Sequence, residues 1–153
     1  MIRVQQADFD AGAEITALSR GNHEVGGVCS FVGLVREGGD KETGVDTIAA
    51  MTLEYYPGMT EKQLTDIEAE ARKRWPLQDS LIIHRYGRLV PGDQIVLVIT
   101  ASAHRKAAFE ACEFLMDWLK TQAPFWKSEE TADGKNWVKA KESDDEAAEK
   151  WRR

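Results

Sequence analysis

The sequence has few cysteines and no cluster of metal-ligating residues. Among its 153 residues, Cys29 and Cys112 are the only cysteines. Both stand in apolar surroundings, without the CxxC or Cys/His spacing of a metal site. We therefore predict two ordinary buried thiols, and neither a metal nor any other cofactor. A chain of this length buries roughly two thirds of its unfolded surface, so it needs no disulfide to stabilise a core.

Long hydrophobic runs and an excess of positive charge are also absent. No segment approaches the roughly 20 apolar residues of a membrane span, and the first residues, MIRVQQADFD, lack the pattern of a targeting segment. The net charge of −6, from 20 Lys and Arg against 26 Asp and Glu, disfavours a protein that coats nucleic acid or an anionic membrane. We expect a cytoplasmic protein without nucleic-acid or membrane partners.

Strand-like and helix-like segments mix without regular βαβ alternation, which predicts an α+β fold with a largely antiparallel sheet. The length favours one domain over residues 1–153. Helical spacing puts Ile15 and Leu18 on one inward face. The predicted strands are 2–6, 26–36, 47–56, 80–90 and 94–101, and the predicted helices are 10–20, 60–75, 102–123 and a short terminal one.

Turn and cap signals divide these segments. The turn Pro91-Gly92-Asp93 predicts a hairpin between strands 80–90 and 94–101. The residues after Pro124 are predicted to form a polar segment before the terminal helix. Capping boxes are predicted from two pairs, Thr60 with Gln63 and Ser143 with Glu146.

The junction ITASAHRKAAFE places His104, Arg105 and Lys106 at the start of a helix. Free backbone N–H groups and the positive end of the helix dipole favour an anion there, whereas cations oppose the dipole. A bound phosphate would remove that conflict, although a solvated first turn explains the same residues. The glycine-rich loop of a nucleotide-binding P-loop is missing.

Two lysines flank the break at the end of the long helix. Lys120 closes the helix, where a cation is favoured in any case, and Lys127 follows Phe125 and Trp126. The intervening Pro124 prevents a continuous helix, so the two amines can converge on a pocket. In such a pocket, repulsion and desolvation would lower the pKa of a lysine, which provides an amine for nucleophilic or proton-transfer chemistry.

Arg36 and two histidines are weaker candidates. Arg36 ends an apolar strand before the loop EGGDKETG, and its guanidinium suits phosphate, although a strand-end arginine is more often a surface charge. His23 and His84 have no partner at a recognisable spacing, so both are predicted to be structural or exposed.

Several stretches, taken in order, resemble the large, catalytic subunit of molybdopterin synthase. Each stretch is modest alone, but the ordered set is specific and covers nearly the whole chain. The matching stretches are FVGLVR at 31–36, LEYYPGMTEKQL at 53–64, RWP at 74–76, IHRYGRLVPGD at 83–93, SAHRKAAFEA at 102–111 and MDWLKTQAPFWK at 116–127. This resemblance implies an α/β hammerhead-type fold with a small β subdomain.

The resemblance also implies an enzyme of molybdenum cofactor biosynthesis. A small ubiquitin-like sulfur-carrier subunit would place its C-terminal Gly-Gly thiocarboxylate in a pocket of this chain. Sulfur would then pass to cyclic pyranopterin monophosphate and build the dithiolene of molybdopterin. The family implies a homodimer of large subunits within a heterotetramer, and a metal that arrives in a later step.

Site residues follow from the same resemblance. Lys120 matches the principal catalytic amine, acting in proton transfer or covalently, and Lys127 matches a second essential lysine. The substrate-binding residues that the resemblance implies are Leu34, Val35, Arg36, His104, Arg105, Ser128, Glu129 and Lys141. Two of them depart from the family: Ser128 replaces a frequent basic residue, and Lys141 replaces a bidentate arginine with a point charge.

Two other functions compete with this interpretation. A non-catalytic adaptor for the tail of a ubiquitin-like protein would bind the tail without pterin and would not need His104 or Arg105. A phosphoesterase for small cyclic phosphates would need an activated water and a metal-ligand cluster.

Overall fold

Eight strands and four helices make up the part of the chain that the computed structural model describes, residues 1–38, 47–132, 134–138 and 142–152. In chain order they are β1 (Ile2–Gln5), α1 (Ala11–Ser19), β2 (Gly27–Leu34), β3 (Ala50–Tyr55), α2 (Met59–Arg74), β4 (Leu77–Arg85), β5 (Gly87–Leu89), β6 (Gln94–Ser102), α3 (Arg105–Gln122), β7 (Phe125–Thr131), β8 (Gly134–Val138) and α4 (Glu142–Glu149).

The first sheet has the strand order β1-β4-β6-β2, with β2 at one edge. β1 and β4 run parallel, and the other neighbours run antiparallel. The central strands β4 and β6 are mostly buried because both faces are covered. Helices α2 and α3 cover one face, and α1 covers the other through Ile15 and Leu18, which confirms their predicted inward direction.

The second sheet, with the order β5-β3-β7-β8, is antiparallel throughout. Its inner face buries Met51, Leu53 and Leu89 together with Val35, which follows β2. Ile95 of β6 packs against this cluster and against the main core, so it joins the two sheets. The predicted α+β class with mostly antiparallel sheets is therefore confirmed.

The predicted strand 80–90 is in fact two strands in two sheets. β4 ends at Arg85, and β5 pairs with β3 in the second sheet. Gly87 has φ +95°, a conformation that residues with a side chain rarely adopt, and the chain changes sheet at this point. The predicted hairpin is correct only in that β4 and β6 pair as antiparallel neighbours.

The polar segment predicted after Pro124 contains two strands that the sequence pattern did not indicate, the hairpin β7–β8. Polar residues stand on both faces of these strands, so the sequence lacks the alternation of apolar and polar residues that indicates a strand. The helix α4 does follow, but it already includes Glu142, so Ser143 lies within its first turn instead of capping it.

The N-cap of α2 also lies two residues before its predicted position. Gly58 is the N-cap, and its N–H donates to Oε2 of Glu61 at 2.6 Å. Thr60 is fully buried within the helix, and its Oγ1 accepts from the N–H of Tyr56 and donates to the carbonyl of Pro124. Thr60 therefore ties the start of α2 to the turn that follows α3.

Helix α3 spans 18 residues and lies against the first sheet. Helical spacing puts Ala108, Cys112, Leu115 and Leu119 on one face, and all four are buried. None of the described helices is both long and apolar enough to cross a membrane.

Candidate active site

The end of α3 and the start of β7 bring the two candidate lysines onto neighbouring elements. Lys120 lies in the last turn of α3, where its side chain is exposed. The helix ends because Pro124 cannot continue it, and the N–H of Ala123 donates to the carbonyl of Leu119. The hydroxyl of Thr60 holds the carbonyl of Pro124 at 3.1 Å. The short connection from Lys120 to Lys127 is thus fixed at its centre.

Strand alternation determines which residues of β7 accompany Lys127. Phe125, Lys127 and Glu129 share one face of the strand, and successive members are about 7 Å apart. Lys127 pairs with Leu53 on β3, whose side chain is buried on the inner face of the second sheet. Lys127 therefore projects toward the first sheet and not toward the outer face.

His84 is the buried group where these elements meet. Its ring stacks on Phe125 with centroids 3.6 Å apart and an interplanar angle of 16°. Nδ1 lies 2.9 Å from the carbonyl oxygen of Arg85, which can only accept, so Nδ1 carries the hydrogen. The side chain comes from β4, so the stack joins the first sheet to β7.

The pKa of His84 reflects its burial and the charges of both lysines. Burial, with smaller contributions from the positive charges of Lys120 and Lys127, lowers the pKa of His84 to about 3. The imidazole is therefore neutral at physiological pH. Lys120 and Lys127 therefore lie on two neighbouring elements that border one neutral aromatic stack.

The strand end at Leu34, Val35 and Arg36 borders the same inner face. Val35 is buried, and both of its backbone groups are used: its N–H donates to Asp93 and its carbonyl accepts from Gly92. Its side chain contacts the core and not an open pocket. Leu34 and Arg36 are exposed on either side of it, so Val35 anchors the strand end that presents them.

Ser128 does not face the lysines. It points to the opposite face of β7 and is buried in a separate cavity of about 150 Å³. That cavity is lined by Thr52, Glu54, Ser128, Lys135 and Trp137. Glu129 lies on the lysine face, and Lys141 lies outside the described residues.

His104 and Arg105 lie at the other end of α3. Fifteen residues separate Arg105 from Lys120, or roughly 22 Å along the helix axis at 1.5 Å per residue. Helical side chains lean toward the N-terminus, so Arg105 points away from Lys120. Both residues are exposed, and the first turn of the helix contains no acidic residue. Within one chain, the structure does not bring these two residues to the lysines.

The two cysteines, Cys112 of α3 and Cys29 of β2, contact each other between the helix and the first sheet. Cys112 is buried, as predicted, whereas Cys29 is only half-buried, and neither is in a disulfide. Burial raises the pKa of the Cys112 thiol well above its usual range, and the neighbouring Cys29 raises it further. Such a thiol is a poor nucleophile at neutral pH. Among the described residues, no group of three or more His, Cys, Asp or Glu is arranged to hold a metal ion.

His84 is the site residue that sequence reasoning missed. The prediction allowed it to be structural or exposed, and it is buried beside the two lysines. The signal was its position inside LIIHR, because a histidine in an apolar strand run must find partners for its ring. Its aromatic partner Phe125 is 41 residues away, and no local pattern indicates that contact.

Comparisons with known proteins agree on one family. The family model described as "MoaE protein" matches residues 4–122. The molybdopterin synthase catalytic subunit of Pseudomonas aeruginosa is 56% identical over 151 residues, covering 98% of this chain and 97% of its own.

Solved structures give the same result. The molybdopterin biosynthesis MoaE protein from Burkholderia ambifaria is 52% identical, with a TM-score of 0.83 over 99% of this chain and 97% of its own. A chain from a complex of subunits 1 and 2 of the molybdopterin-converting factor from Helicobacter pylori is 20% identical and shares the fold. Its TM-score is 0.73 over 90% of each chain.

Proposed function

Because this chain belongs to the MoaE family, we infer that it is the catalytic subunit of a molybdopterin synthase. It transfers sulfur from the C-terminal thiocarboxylate of a small carrier subunit to cyclic pyranopterin monophosphate, and so forms the dithiolene of molybdopterin. The observation that carries this assignment to particular residues is the convergence of Lys120 and Lys127 around the stack of His84 on Phe125.

The two lysines suit a reaction whose nucleophile arrives from outside. A thiocarboxylate already carries an anionic sulfur, so the protein does not need a thiol of its own. Two ammonium groups next to a half-buried aromatic wall attract that anion and hold it beside the pterin. Lys120 is the principal catalytic amine, by proton transfer or covalent participation, and Lys127 helps to hold the substrate and the tail.

The strand end gives the substrate a second contact. Arg36 offers a planar fork of donors to phosphate, and Leu34 offers an apolar surface next to it. Glu129, on the lysine face of β7, lines the same space. Ser128 contributes through its backbone or through the shape of β7, since its side chain is buried on the other face.

A second copy of the chain supplies His104 and Arg105. These residues cannot reach the lysines of their own chain, because α3 holds the two ends roughly 22 Å apart. The family implies a homodimer, and in a two-fold dimer the helix start of one copy can lie beside the lysines of the other. The basic helix start then binds the substrate phosphate in the neighbouring site.

The edge strand β2 is the surface that fits this second copy. Val28, Phe31 and Leu34 are exposed along it, at 36%, 44% and 51% of their surface, and an apolar edge of this kind invites pairing. Antiparallel pairing about a two-fold axis near the middle of β2 puts Gly27 of one copy beside Leu34 of the other. Since Gly27 lies against the backbone of Arg105, that pairing brings Arg105 to the strand end at Arg36.

Mixing two defective variants tests this arrangement. Lys120→Ala and the double variant His104→Ala/Arg105→Ala are each expected to lose dithiolene formation at low substrate concentration. After random subunit exchange, half of the dimers contain both chains, and one of the two sites in each mixed dimer is intact. Activity should therefore return to about one quarter of the wild-type value.

The controls separate the competing functions. Mixing Lys120→Ala with Lys127→Ala should restore nothing, because both lysines belong to the same site. The assay contains thiocarboxylated carrier and cyclic pterin, so an adaptor would bind the carrier without forming product, and a phosphoesterase would open the cyclic phosphate without carrier. If the Lys120 and Arg105 variants also fail to restore each other, the two-copy site is wrong.

A further inference from the structure

The residues that follow α4 pack against α3 within one turn of Lys120. The ring of Trp151 stands edge-on to the rings of Trp75 and Phe114, with centroids 5.5 and 5.7 Å away. Ala148, in the last turn of α4, is buried. The reaction described above gives these contacts no role, although they lie on the helix that carries the principal catalytic amine.

Asp117 joins this packing to α3. Its Oδ2 accepts a hydrogen bond from Nε1 of Trp151 at 2.6 Å, and Nζ of Lys150 lies 3.8 Å from the same oxygen. Lys150 also donates to Glu113, one turn earlier on α3. The side chain of Asp117 is only 18% exposed. Its carboxylate is therefore held toward α4 by one donor and one positive charge.

Asp117 and Lys120 are neighbours on the surface of α3. Residues three apart in a helix are within reach of each other, and helical side chains lean toward the N-terminus, so that of Lys120 leans toward Asp117. Opposite charges at this spacing commonly pair, as Glu149 and Arg152 do at 3.1 Å. Among the described residues, however, Lys120 forms no ion pair with Asp117 or with any other carboxylate.

An ion pair with Asp117 would impair Lys120 in two ways. A nearby carboxylate stabilises the ammonium form and raises the pKa of a lysine, so less neutral amine is present at pH 7. It also cancels positive charge that attracts an anionic thiocarboxylate or phosphate. The other titratable groups of this region are His84 of β4 and Lys127 and Glu129 of β7. Asp117 is the carboxylate that the helix itself places beside Lys120.

We propose that Trp151 and Lys150 are positioning residues for sulfur transfer: they hold the carboxylate of Asp117 toward α4 and so keep it from pairing with the amine of Lys120. This proposal rests on the proposed function, which gives Lys120 its role. It assigns to two residues outside the site an effect on the protonation of one amine, separate from their effect on packing.

The double variant Trp151→Phe/Lys150→Met releases the carboxylate and keeps most of the packing. Phenylalanine retains a ring against Trp75 and Phe114 without an N–H donor, and methionine retains a long side chain without charge. Acylation of Lys120, followed by mass spectrometry across pH in the substrate-free protein, should shift its midpoint upward by about 0.3 to 1 pH unit. Dithiolene formation at pH 7 should fall by about two- to tenfold, in proportion to the neutral amine.

Two further variants show whether Asp117 transmits the effect. Adding Asp117→Asn to the double variant should return the profile of Lys120 to its wild-type position, because an amide has no charge to pair with the ammonium. Trp75→Phe is the matched control. It removes an indole N–H that donates to Glu110 at 3.4 Å, on the same helix but almost three turns before Lys120. This control should leave both the profile and the rate unchanged.

The outcomes are decisive for the terminal residues alone. An unchanged Lys120 profile in the folded double variant overturns the proposal, as does a shift that persists after Asp117→Asn is added or that Trp75→Phe reproduces. If the double variant does not fold, Lys150→Met alone, at a half-exposed side chain, must shift the profile in the same direction. Full turnover by Lys120→Ala would instead refute the proposed function and leave the labelling result intact.

Discussion

The two ends of α3 carry cations for different physical reasons. At the C-terminal end, Lys120 lies where the helix dipole favours a positive charge, next to a buried histidine and a second lysine. At the N-terminal end, His104, Arg105 and Lys106 oppose the dipole and are all exposed. The C-terminal end lies near the packed rings of His84 and Phe125, whereas the three cations at the N-terminal end are exposed.

This difference indicates which end of α3 can position a catalytic amine within a single chain. A site that positions an amine needs packed neighbours, and the C-terminal end has them in His84 and Phe125. The N-terminal end has free backbone donors and positive charge, which serve an anion brought by another molecule. Variants at the first end should therefore affect the chemical step, and variants at the second end should affect substrate binding.

The largest expected effect is at Lys120. Lys120→Ala should abolish dithiolene formation, a loss of about 10³-fold or more, because the variant removes the principal catalytic amine. Binding of the carrier subunit, measured by calorimetry, should remain close to the wild type. Retained turnover would remove Lys120 from its role and with it the distinction between the two ends.

Arg105→Ala should have a smaller effect, which changes substrate binding and not the chemical step. Losing a charge-assisted hydrogen bond to phosphate costs about 1.5–3 kcal/mol, which corresponds to a rise in KM for the cyclic pterin of about 10- to 150-fold. The value of kcat should change little, and Arg105→Lys should recover part of the loss. A drop in kcat with unchanged KM would place Arg105 in the chemistry instead.

Protonation of His84 should make the stability of the protein depend on pH. His84 has a folded-state pKa of about 3 against 6.5 for the unfolded chain, so the unfolded state binds the extra proton between these values. Its contribution to stability is complete above pH 6.5 and is lost as the pH falls, at about 1.4 kcal/mol per pH unit.

Denaturant titrations from pH 7 to pH 4 test this dependence. The decline in unfolding free energy should be less steep in His84→Gln than in the wild type, because the buried imidazole is absent. Parallel curves for His84→Gln and the wild type would contradict the buried neutral ring.

Lys106 should give the smallest effect. It opposes the helix dipole but pairs weakly with Glu110, at 3.9 Å and with its side chain almost fully exposed. The two contributions have opposite signs and are each a few tenths of a kcal/mol, so Lys106→Ala should change the unfolding free energy by less than about 0.5 kcal/mol. A larger loss, measured by chemical denaturation, would mean that this end is packed more firmly than its exposure indicates.

Local patterns were sufficient for the elements that bury one regular face. The face of α3 from Ala108 to Leu119 and the inward residues of α1 follow from helical spacing alone. The break at Pro124 likewise predicted that Lys120 and Lys127 can meet. These features depend on neighbours within one or two turns, which a sequence contains explicitly.

Features that depend on distant contacts were not predicted. The split of 80–90 depends on β3 as a partner for β5, and the β7–β8 hairpin has no apolar period. Thr60 resembles a cap, but its hydroxyl is committed to Pro124, 64 residues away. The stack of His84 on Phe125 likewise joins two sheets, so it appears only when the fold is known.

The 18 residues of α3 hold Arg105 and Lys120 at a fixed distance from each other, near opposite ends of the helix. In the proposed two-copy assembly, each α3 contributes residues to two active sites, one in its own chain and one in the neighbouring chain. Adding or deleting a single residue in its middle would turn one end by about 100° relative to the other. The length of this helix is therefore under a constraint that packing alone would not impose, and a change in length would damage both sites at once.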